Sequence, residues 1–414
     1  MTATARLFPL LLPIAVAACG DAAGDATVIV TDSAGVQIVT STAPSWGEGE
    51  GWVVDSVPSL DIGGNDADPH YDLLRVSGTT RLSDGRIAVL SAGSSQLMIY
   101  DSTGRWISSS GRAGDGPGEF RAPYQFFHYP GDTLATFDYQ LRRLSRFAPD
   151  GSFLNSLSTA QAAGGRFALP LARLSDGSWL ARASSGFTPD SKPGAMRPVE
   201  LLVHLTPDFG PDADTITTVR GSESWVVTGG SGKDRFATIW GVPLGPSSAY
   251  TAHDSLVYAG DNVRYEINVY RADGTLVRSI RRAGEPPPLT DDRLARAKAS
   301  FLEDVPPAQL AEQQELWEKF PKHERMPAYD DFALDSEGNL WVMQARVLRS
   351  DPATADVFDV EGRLLGSVAL PANFAPFEIG PDYILGVWKD DADVEHVRSY
   401  AIHGKAGRRE GGKN

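Results

Sequence analysis

Residues 83–104 read SDGRIAVLSAGSSQLMIYDSTG, a tight turn followed by two short segments and a second tight turn. Within this stretch, residues 86–90 and 96–100 alternate apolar and polar side chains, which is typical of half-buried β-strands. Asp and Gly stand at both turns because they tolerate the backbone angles that tight turns require. The stretch therefore predicts one strand–turn–strand unit.

The same unit occurs six times along the chain. Its first turn lies around Gly85, Gly131, Gly177, Asp254, Gly338 and Pro381, and its second turn around Gly104, Gly151, Gly210, Gly274, Gly362 and Gly404. Three intervals between first turns are 46, 46 and 43 residues long, and the other two, of 77 and 84 residues, contain insertions. A repeat of about 45 residues with two hairpin turns has the size of a four-stranded propeller blade. The sequence therefore predicts an all-β fold, a six-bladed β-propeller.

A ring of six blades needs a closing strand, because end blades would otherwise leave unpaired edges. The last unit supplies three strands and ends near residues 399–402. A fourth strand is available over residues 52–62, so we predict that an N-terminal strand completes the final blade. A further hairpin over residues 28–39 precedes it, and the sequence leaves its position open.

Length and charge narrow the possible functions. The chain has 414 residues and a formal net charge of −15. Because the repeat covers nearly all of it, we predict one propeller domain over residues 28–404 and a disordered basic tail over residues 405–414. The negative charge excludes a nucleic-acid partner, whose phosphates require basic patches.

The N-terminal segment has the layout of an export signal. Arg6 precedes an apolar run over residues 7–18 that is too short to span a membrane. Cys19 follows as the only cysteine, and Val16-Ala17-Ala18-Cys19 resembles the bacterial lipobox. That resemblance implies a signal peptide over residues 1–18, an acylated Cys19 as lipid anchor and a tether over residues 19–27.

A lipid anchor would place the protein in the cell envelope, with the membrane as one partner. Gly20, rather than an acidic residue, follows Cys19, which by the sorting rule of bacterial lipoproteins favours the outer membrane and an orientation facing the periplasm. An ordinary signal cleaved elsewhere, with Cys19 incidental, is the alternative interpretation.

One loop resembles a known family. Residues 111–123 read GRAGDGPGEFRAP and resemble the loop that joins consecutive blades in NHL-type six-bladed propellers. Glycines let the chain reverse from the outer strand of one blade to the inner strand of the next, and Phe120 would plug the space between blades. Residues 282–286 are a degenerate second copy and residues 62–66 a candidate third. The resemblance covers about residues 50–404 and implies the fold, without any chemistry.

The insertions all fall on one side of the predicted propeller. We call this side the loop face, since it carries the connections from the second to the third strand of each blade and from one blade to the next; the opposite side, with the tight turns, is the turn face. The insertions are residues 184–198, 221–241 and about 285–327. The last predicts a helical hairpin that begins at Thr290 and either caps the central channel or braces neighbouring blades. Long loops on a rigid scaffold favour the loop face as the working face.

Charged and aromatic residues gather at the loop-face ends of the predicted strands. The candidate ligand-binding residues are Tyr124, Asp138, Tyr139, Arg142, Arg182, Asp261, Arg264, Tyr329, Asp330, Gln344, Arg346, Trp388 and Lys389. Such a ring would hold a small polar ligand, a peptide or a protein by bidentate hydrogen bonds and stacking. The alternative is that these side chains solvate the channel mouth or pair with one another.

The sequence favours a binding protein without cofactor over an enzyme. It contains no HExxH, GxSxG or P-loop motif. Related propeller enzymes hold a metal near the axis, through histidines in lyases and through acidic side chains with calcium in lactonases. Here His128, or Asp138, Asp330 and Asp331, are the only candidates for such a site. A metal-dependent lyase or lactonase-like hydrolase with calcium or zinc is therefore the alternative function.

Overall fold

The computed structural model describes residues 27–65, 67–184 and 191–404. The predicted signal peptide, Cys19, most of the tether and the basic tail lie outside the described residues. So do residue 66 of the third connector candidate and part of the first insertion. Among the described residues, no helix is both long enough and apolar enough to cross a membrane.

The described chain is mostly β-strand. Its N-terminal strands are β1 (Val28–Ser33), β2 (Val36–Ser41), β3 (Val53–Val54) and β4 (Leu60–Gly63). Sheet 1 follows with β5 (Val76–Arg81), β6 (Ile87–Ser91), β7 (Gln96–Tyr100) and β8 (Trp106–Ser110). Sheet 2 contains β9 (Pro123–Tyr129), β10 (Thr133–Asp138), β11 (Arg143–Phe147) and β12 (Phe153–Ser158).

Two sheets come from the middle of the chain. The strands are β13 (Ala168–Arg173), β14 (Trp179–Ala183), β15 (Gly194–Met196), β16 (Val199–Leu205), β17 (Ala213–Arg220), β18 (Ser224–Gly229) and β19 (Phe236–Gly241). Sheet 3 has the order β13-β14-β16-β17, and β15, β18 and β19 form a separate accessory sheet. Short 3-10 helices lie at Ala162–Gly165 and Gly232–Asp234.

The last three sheets flank the helical insertion. Sheet 4 contains β20 (Ser248–His253), β21 (Leu256–Asp261), β22 (Glu266–Arg271) and β23 (Leu276–Arg282). Helices α1 (Asp291–Leu302) and α2 (Leu310–Lys319) follow. Sheet 5 contains β24 (Asp331–Leu334), β25 (Leu340–Met343), β26 (Ala353–Phe358) and β27 (Leu364–Leu370). Sheet 6 contains β28 (Phe374–Ile379), β29 (Tyr383–Lys389) and β30 (Glu395–His403).

The six main sheets are neighbours through their first strands. The first strand of each contacts the first strand of the next, in the order β5, β9, β13, β20, β24 and β28, and β28 also contacts β5. Within each sheet the chain runs up and down from this inner strand outward. The fold is therefore all-β and propeller-like.

The N-terminal strands join two different sheets. β3 and β4 pair antiparallel with β30 of sheet 6, with Leu60 opposite Ser399. β2 pairs parallel with β23 of sheet 4, and β1 pairs with β2 as the outermost strand. The position of the N-terminal hairpin, which the sequence left open, is thus the outer edge of sheet 4.

The connector over residues 111–123 supports the packing between sheets 1 and 2. Phe120 is buried against Leu90 and Phe147, which confirms its predicted place between neighbouring repeats. Gly111 has φ of 92°, and a Cβ there would lie 2.4 Å from the Phe120 ring. Only glycine meets both conditions, because it has no Cβ and adopts positive φ readily.

The insertions form one accessory layer. β15 from the first insertion pairs with β18 from the second, and the helices of the third pack on the same layer. Phe301 of α1 contacts Trp240 of β19 and Trp317 of α2. The predicted helical hairpin is confirmed, and Thr290 caps α1 by accepting a hydrogen bond from the Arg293 backbone. These contacts favour the brace over the channel cap.

Candidate functional site

A large opening at the loop face lies at the end of sheet 4. A groove of about 820 Å³ separates this end from residues 323–327, which follow the helical hairpin. Its polar lining residues are Thr40, Asn262, Arg264, Tyr265, Glu266, Arg281, Arg282, Glu285, His323, Glu324 and Arg325. A neighbouring cavity of about 290 Å³ shares Tyr265, Arg282 and residues 283–286 with the groove, and extends it to Gln344. The volume of the groove is within the range of small-molecule sites.

A buried carboxylate fixes one wall of this groove. Asp356 on β26 is fully buried and accepts hydrogen bonds from four side chains. The Tyr265 hydroxyl donates at 2.7 Å, Gln344 Nε2 at 2.9 Å and Ser367 Oγ at 2.6 Å, and Arg282 Nη1 completes the set. Burial, followed by the adjacent carboxylate, raises the pKa of Tyr265 well above its ordinary value. The hydroxyl therefore stays protonated and donates.

Three arginines face the groove with unused hydrogen-bonding capacity. Arg282 is tied to Asp356 through Nη1 alone. Arg281 donates from Nη2 to Glu266 at 2.9 Å, whereas its Nε is buried and has no acceptor among the described residues. Arg264, at the turn between β21 and β22, is exposed, and its guanidinium has no partner in the described part of the chain.

Three predicted residues meet at a smaller cavity between sheets 5 and 6. Asp330, Gln344 and Arg346 line a space of about 170 Å³ whose floor includes Phe332 and Phe374. The Asp330 carboxylate accepts one hydrogen bond, from the Arg346 backbone at 3.3 Å. Arg346 itself donates to the carbonyl oxygens of Arg349 and Asp351 and so orders its own loop.

The acidic pair Asp330 and Asp331 has unusual electrostatics. Both residues are exposed, and both line the cavity between sheets 5 and 6. Loss of bulk water around the carboxylates raises the pKa of Asp330 to about 6 and also raises the pKa of Asp331. Each carboxylate is therefore easier to protonate than an ordinary surface group.

Three other predicted residues make structural contacts. Buried Asp138 accepts from the backbone nitrogens of Arg121, Ala122 and Leu141 and thereby joins two loops. The guanidinium of Arg142 donates to backbone carbonyls over residues 159–166. Tyr329 is fully buried between sheets 4 and 5 rather than in a cavity.

The channel mouth near sheets 2 to 4 is aromatic. Exposed Tyr124 and Tyr139 contact each other edge to face at 6.4 Å between ring centroids. Arg182 pairs with buried Glu200 at 3.3 Å and lies over the Tyr250 ring. Burial raises the pKa of Tyr250 to about 12, so its hydroxyl remains neutral.

The remaining predicted residues are paired locally. Asp261 accepts from Arg197 at 3.1 Å, and Lys389 lies 3.6 Å from Glu395. The Trp388 ring stacks under the Arg398 guanidinium at 3.4 Å. The structure thus distributes the predicted ring over several local clusters, of which only those containing Arg264, Gln344, Asp330 and Arg346 line the cavities at sheets 4 to 6.

The candidates for a metal site do not converge. In the described ranges, no three His, Cys, Asp or Glu side chains are close enough together to hold a metal ion. His128 lies towards the turn face, where Nδ1 contacts Thr80 at 3.1 Å and Nε2 contacts Asp132 at 2.9 Å. The Asp138 carboxylate is engaged with the backbone nitrogens of Arg121, Ala122 and Leu141.

Comparison with known proteins concerns the fold. The sequence matches no protein-family model and no curated protein. A member of the DUF4221 family from Bacteroides vulgatus is similar in structure, with a TM-score of 0.52, 11% identity, and coverage of 85% of this chain and 98% of that one. A gluconolactonase from Xanthomonas campestris gives a TM-score of 0.41, 13% identity and coverage of 85% and 98%. Virginiamycin B lyase from Staphylococcus aureus gives a TM-score of 0.41 and 7% identity, with coverage of 85% of this chain and 99% of that one.

The sequence reasoning missed most of the groove. The predicted ligand-binding set lacks four residues that line or support the groove, namely Tyr265, Arg281, Arg282 and Asp356. The available signal was the pair of arginines that ends β23 and opens the second connector copy at residues 282–286. The sequence pattern indicates only a link between repeats there, yet the segment lines both cavities at sheet 4.

Proposed function

We propose that this protein is a lipid-anchored, non-enzymatic six-bladed β-propeller of the cell envelope that binds a polar ligand on its loop face. In this proposal the six main sheets are the blades, and β4 closes the ring by pairing with β30. The observation that carries the proposal is the groove of about 820 Å³ at the loop face, bounded by the longest insertion. Arg264 from the predicted set lines it.

The state of the groove's carboxylates supports binding over catalysis. Asp356 is saturated by four donors, and Glu266 accepts from Arg281 and Ser279. A general base or nucleophile needs a free lone pair directed at the substrate. Asp356 has no such lone pair and instead holds its four donors in place, as expected of a rigid recognition surface.

The anchor part of the proposal rests on the sequence motif. Val28 begins β1 nine residues after Cys19, so the intervening chain would span at most about 30 Å. Acylation at Cys19 would therefore keep the outer edge of sheet 4 near the membrane. We expect Cys19→Ala to move the full-length protein from the membrane to the soluble fraction of the envelope. Continued membrane association of this variant would contradict the anchor.

Ligand binding can be tested by hydrogen–deuterium exchange. The protein is incubated with the small-molecule fraction of an envelope extract and compared with protein in buffer. We expect slower exchange over residues 262–266, 282–287 and 323–327, and unchanged exchange over residues 271–275 at the turn face of sheet 4. Identical exchange in both samples, over a range of extract concentrations, would contradict binding at the groove.

A metal-dependent propeller enzyme is the second candidate function. The observation in its favour is the adjacent pair Asp330 and Asp331, which faces the channel mouth with few hydrogen-bond partners. Metal analysis of the purified protein separates the two functions. Stoichiometric calcium or zinc that is lost in Asp330→Asn and Asp331→Asn variants would favour the enzyme, and metal-free protein would favour the binder.

A further inference from the structure

We propose that the groove at sheet 4 is an anion site, which holds a carboxylate or phosphate group of the ligand with Arg264, Arg281 and Arg282. This inference rests on the proposed function and specifies the chemistry of its ligand. The three arginines line one cavity, and they reach it from different parts of sheet 4. Arg264 comes from the loop between β21 and β22, whereas Arg281 and Arg282 end β23.

The first argument is the surplus of donors. A guanidinium carries several N–H donors in a planar fork, which matches carboxylate and phosphate oxygens in pairs. Arg282 donates to Asp356 through Nη1, and Arg281 donates to Glu266 through Nη2. The guanidinium of Arg264 donates to no described residue. Most of their donors therefore remain available to a ligand.

The second argument is an orphaned donor within the wall. Arg281 Nε is buried, and no acceptor lies within hydrogen-bond distance among the described residues. A buried N–H group without a partner is unfavourable, because its hydrogen bond to water is lost on folding and no hydrogen bond to the protein replaces it. A small rotation of the Arg281 side chain towards the groove would bring this N–H group within reach of a ligand oxygen, which would supply the missing acceptor.

The acidic residues of the groove do not cancel this donor surplus. Asp356 is saturated and buried, and Glu266 is shared between Arg281 and Ser279. Glu285 lies 3.5 Å from Arg325, whose Nη1 also donates to the Pro286 carbonyl. His323 contacts Glu223 at 2.6 Å. Glu324 also lines the groove, so its lining contains four arginines against three glutamates. On a chain whose net charge is −15, this local excess of positive charge would select anionic groups from solution.

The test uses calorimetric titration of the full chain, in buffer without other oxyanions. Inorganic phosphate and malonate serve as the two anionic probes, and ethylenediamine serves as the cationic control. We expect saturable binding of at least one anion with a Kd of roughly 1 mM or below, and no binding of ethylenediamine. The tighter of the two anions identifies phosphate or carboxylate as the preferred group.

Matched variants locate the bound anion. Arg264→Gln removes a side chain without described partners, so the fold should be unaffected, and we expect about tenfold weaker anion binding. Arg281→Gln should weaken binding to a similar degree. Arg271→Gln makes the same charge change at the exposed turn-face end of β22 in the same sheet and should bind like wild type.

Three outcomes would overturn the anion site. They are the absence of saturable binding of both anions, equal affinity in wild type and Arg264→Gln, and an equal loss in Arg271→Gln. If ethylenediamine binds and the anions do not, the charge assignment is wrong while ligand binding at the loop face stands. The hydrogen–deuterium exchange experiment tests ligand binding at the groove, whereas these titrations test the anion site. A negative result in one does not imply a negative result in the other, so the two proposals are distinguishable.

Discussion

Asp356 is the residue through which sheets 4 and 5 hold the groove in shape, because it accepts from Tyr265, Arg282, Gln344 and Ser367. We expect Asp356→Ala to lower the free energy of unfolding by about 3 kcal/mol, since it leaves a partly buried arginine and buried donors without an acceptor. Urea denaturation measures the change.

Asp72→Ala provides the control for this substitution. Asp72 is exposed, and its carboxylate makes no hydrogen bond or ion pair with any described residue, so its removal should change the free energy of unfolding by less than about 0.5 kcal/mol. Equal effects of the two substitutions would show that the carboxylate of Asp356 contributes nothing specific.

Asp330 predicts a pH dependence of stability. Its pKa rises from 3.8 to about 6 on folding, so the folded state holds the proton more tightly than the unfolded chain. The contribution of this carboxyl to stability therefore falls as the pH increases from about 4 to about 6. We expect the stability of Asp330→Asn relative to wild type to increase over this interval, as measured by urea denaturation at several pH values. A difference that stays constant with pH would contradict the assignment.

Single residues were predictable from the sequence only where their role is local. Arg264 follows a recognisable strand end, and its place at the loop face could be inferred from the repeat. Arg282 was missed because its significance depends on Asp356, a residue 74 positions away on a neighbouring sheet. Gln344 was predicted for its position, although the partner of its amide, again Asp356, was not.

At the scale of elements, the connector over residues 111–123 determines how sheets 1 and 2 meet. We expect Gly111→Ala to lower the free energy of unfolding by about 2–4 kcal/mol, because the new Cβ would require positive φ and would collide with Phe120. Gly241→Ala is the control, since Gly241 has ordinary φ and no atom within 4 Å of an added Cβ. Chemical denaturation measures the free energy of unfolding of both variants. An unchanged free energy of unfolding in Gly111→Ala would refute the steric argument.

The elements themselves were the most predictable part of the molecule. Strands β6 and β7 occur where alternation indicated them, and α1 begins after its predicted cap Thr290. Local signals suffice for these features, because turn chemistry and capping involve neighbours in sequence. The pairing of β15 with β18 was not foreseen, since it joins two separate insertions through a short strand with no alternating pattern.

At the scale of the whole molecule, the two ends of the chain are held together. The pairing of β4 with β30 joins residues 60–63 to residues 396–399, and the period of the turns had predicted a closing strand at this place. The parallel pairing of β2 with β23 could not be predicted in the same way. Nothing in a short apolar hairpin specifies which sheet edge it will join, because any exposed edge offers the same backbone groups.

Ile62 provides the test of this closure. It is fully buried on β4, opposite Val397, and packs with Leu73 and Val89 of the first repeat. We expect Ile62→Ala to lower the free energy of unfolding by about 3 kcal/mol, whereas Ile29→Ala, on the exposed outer strand β1, should have little effect. If β4 closes a cooperative ring, urea unfolding of Ile62→Ala should remain a single transition at lower urea concentration. An early separate transition, with faster hydrogen exchange only in sheet 6, would instead mean that β4 is a peripheral strand whose loss the other sheets tolerate.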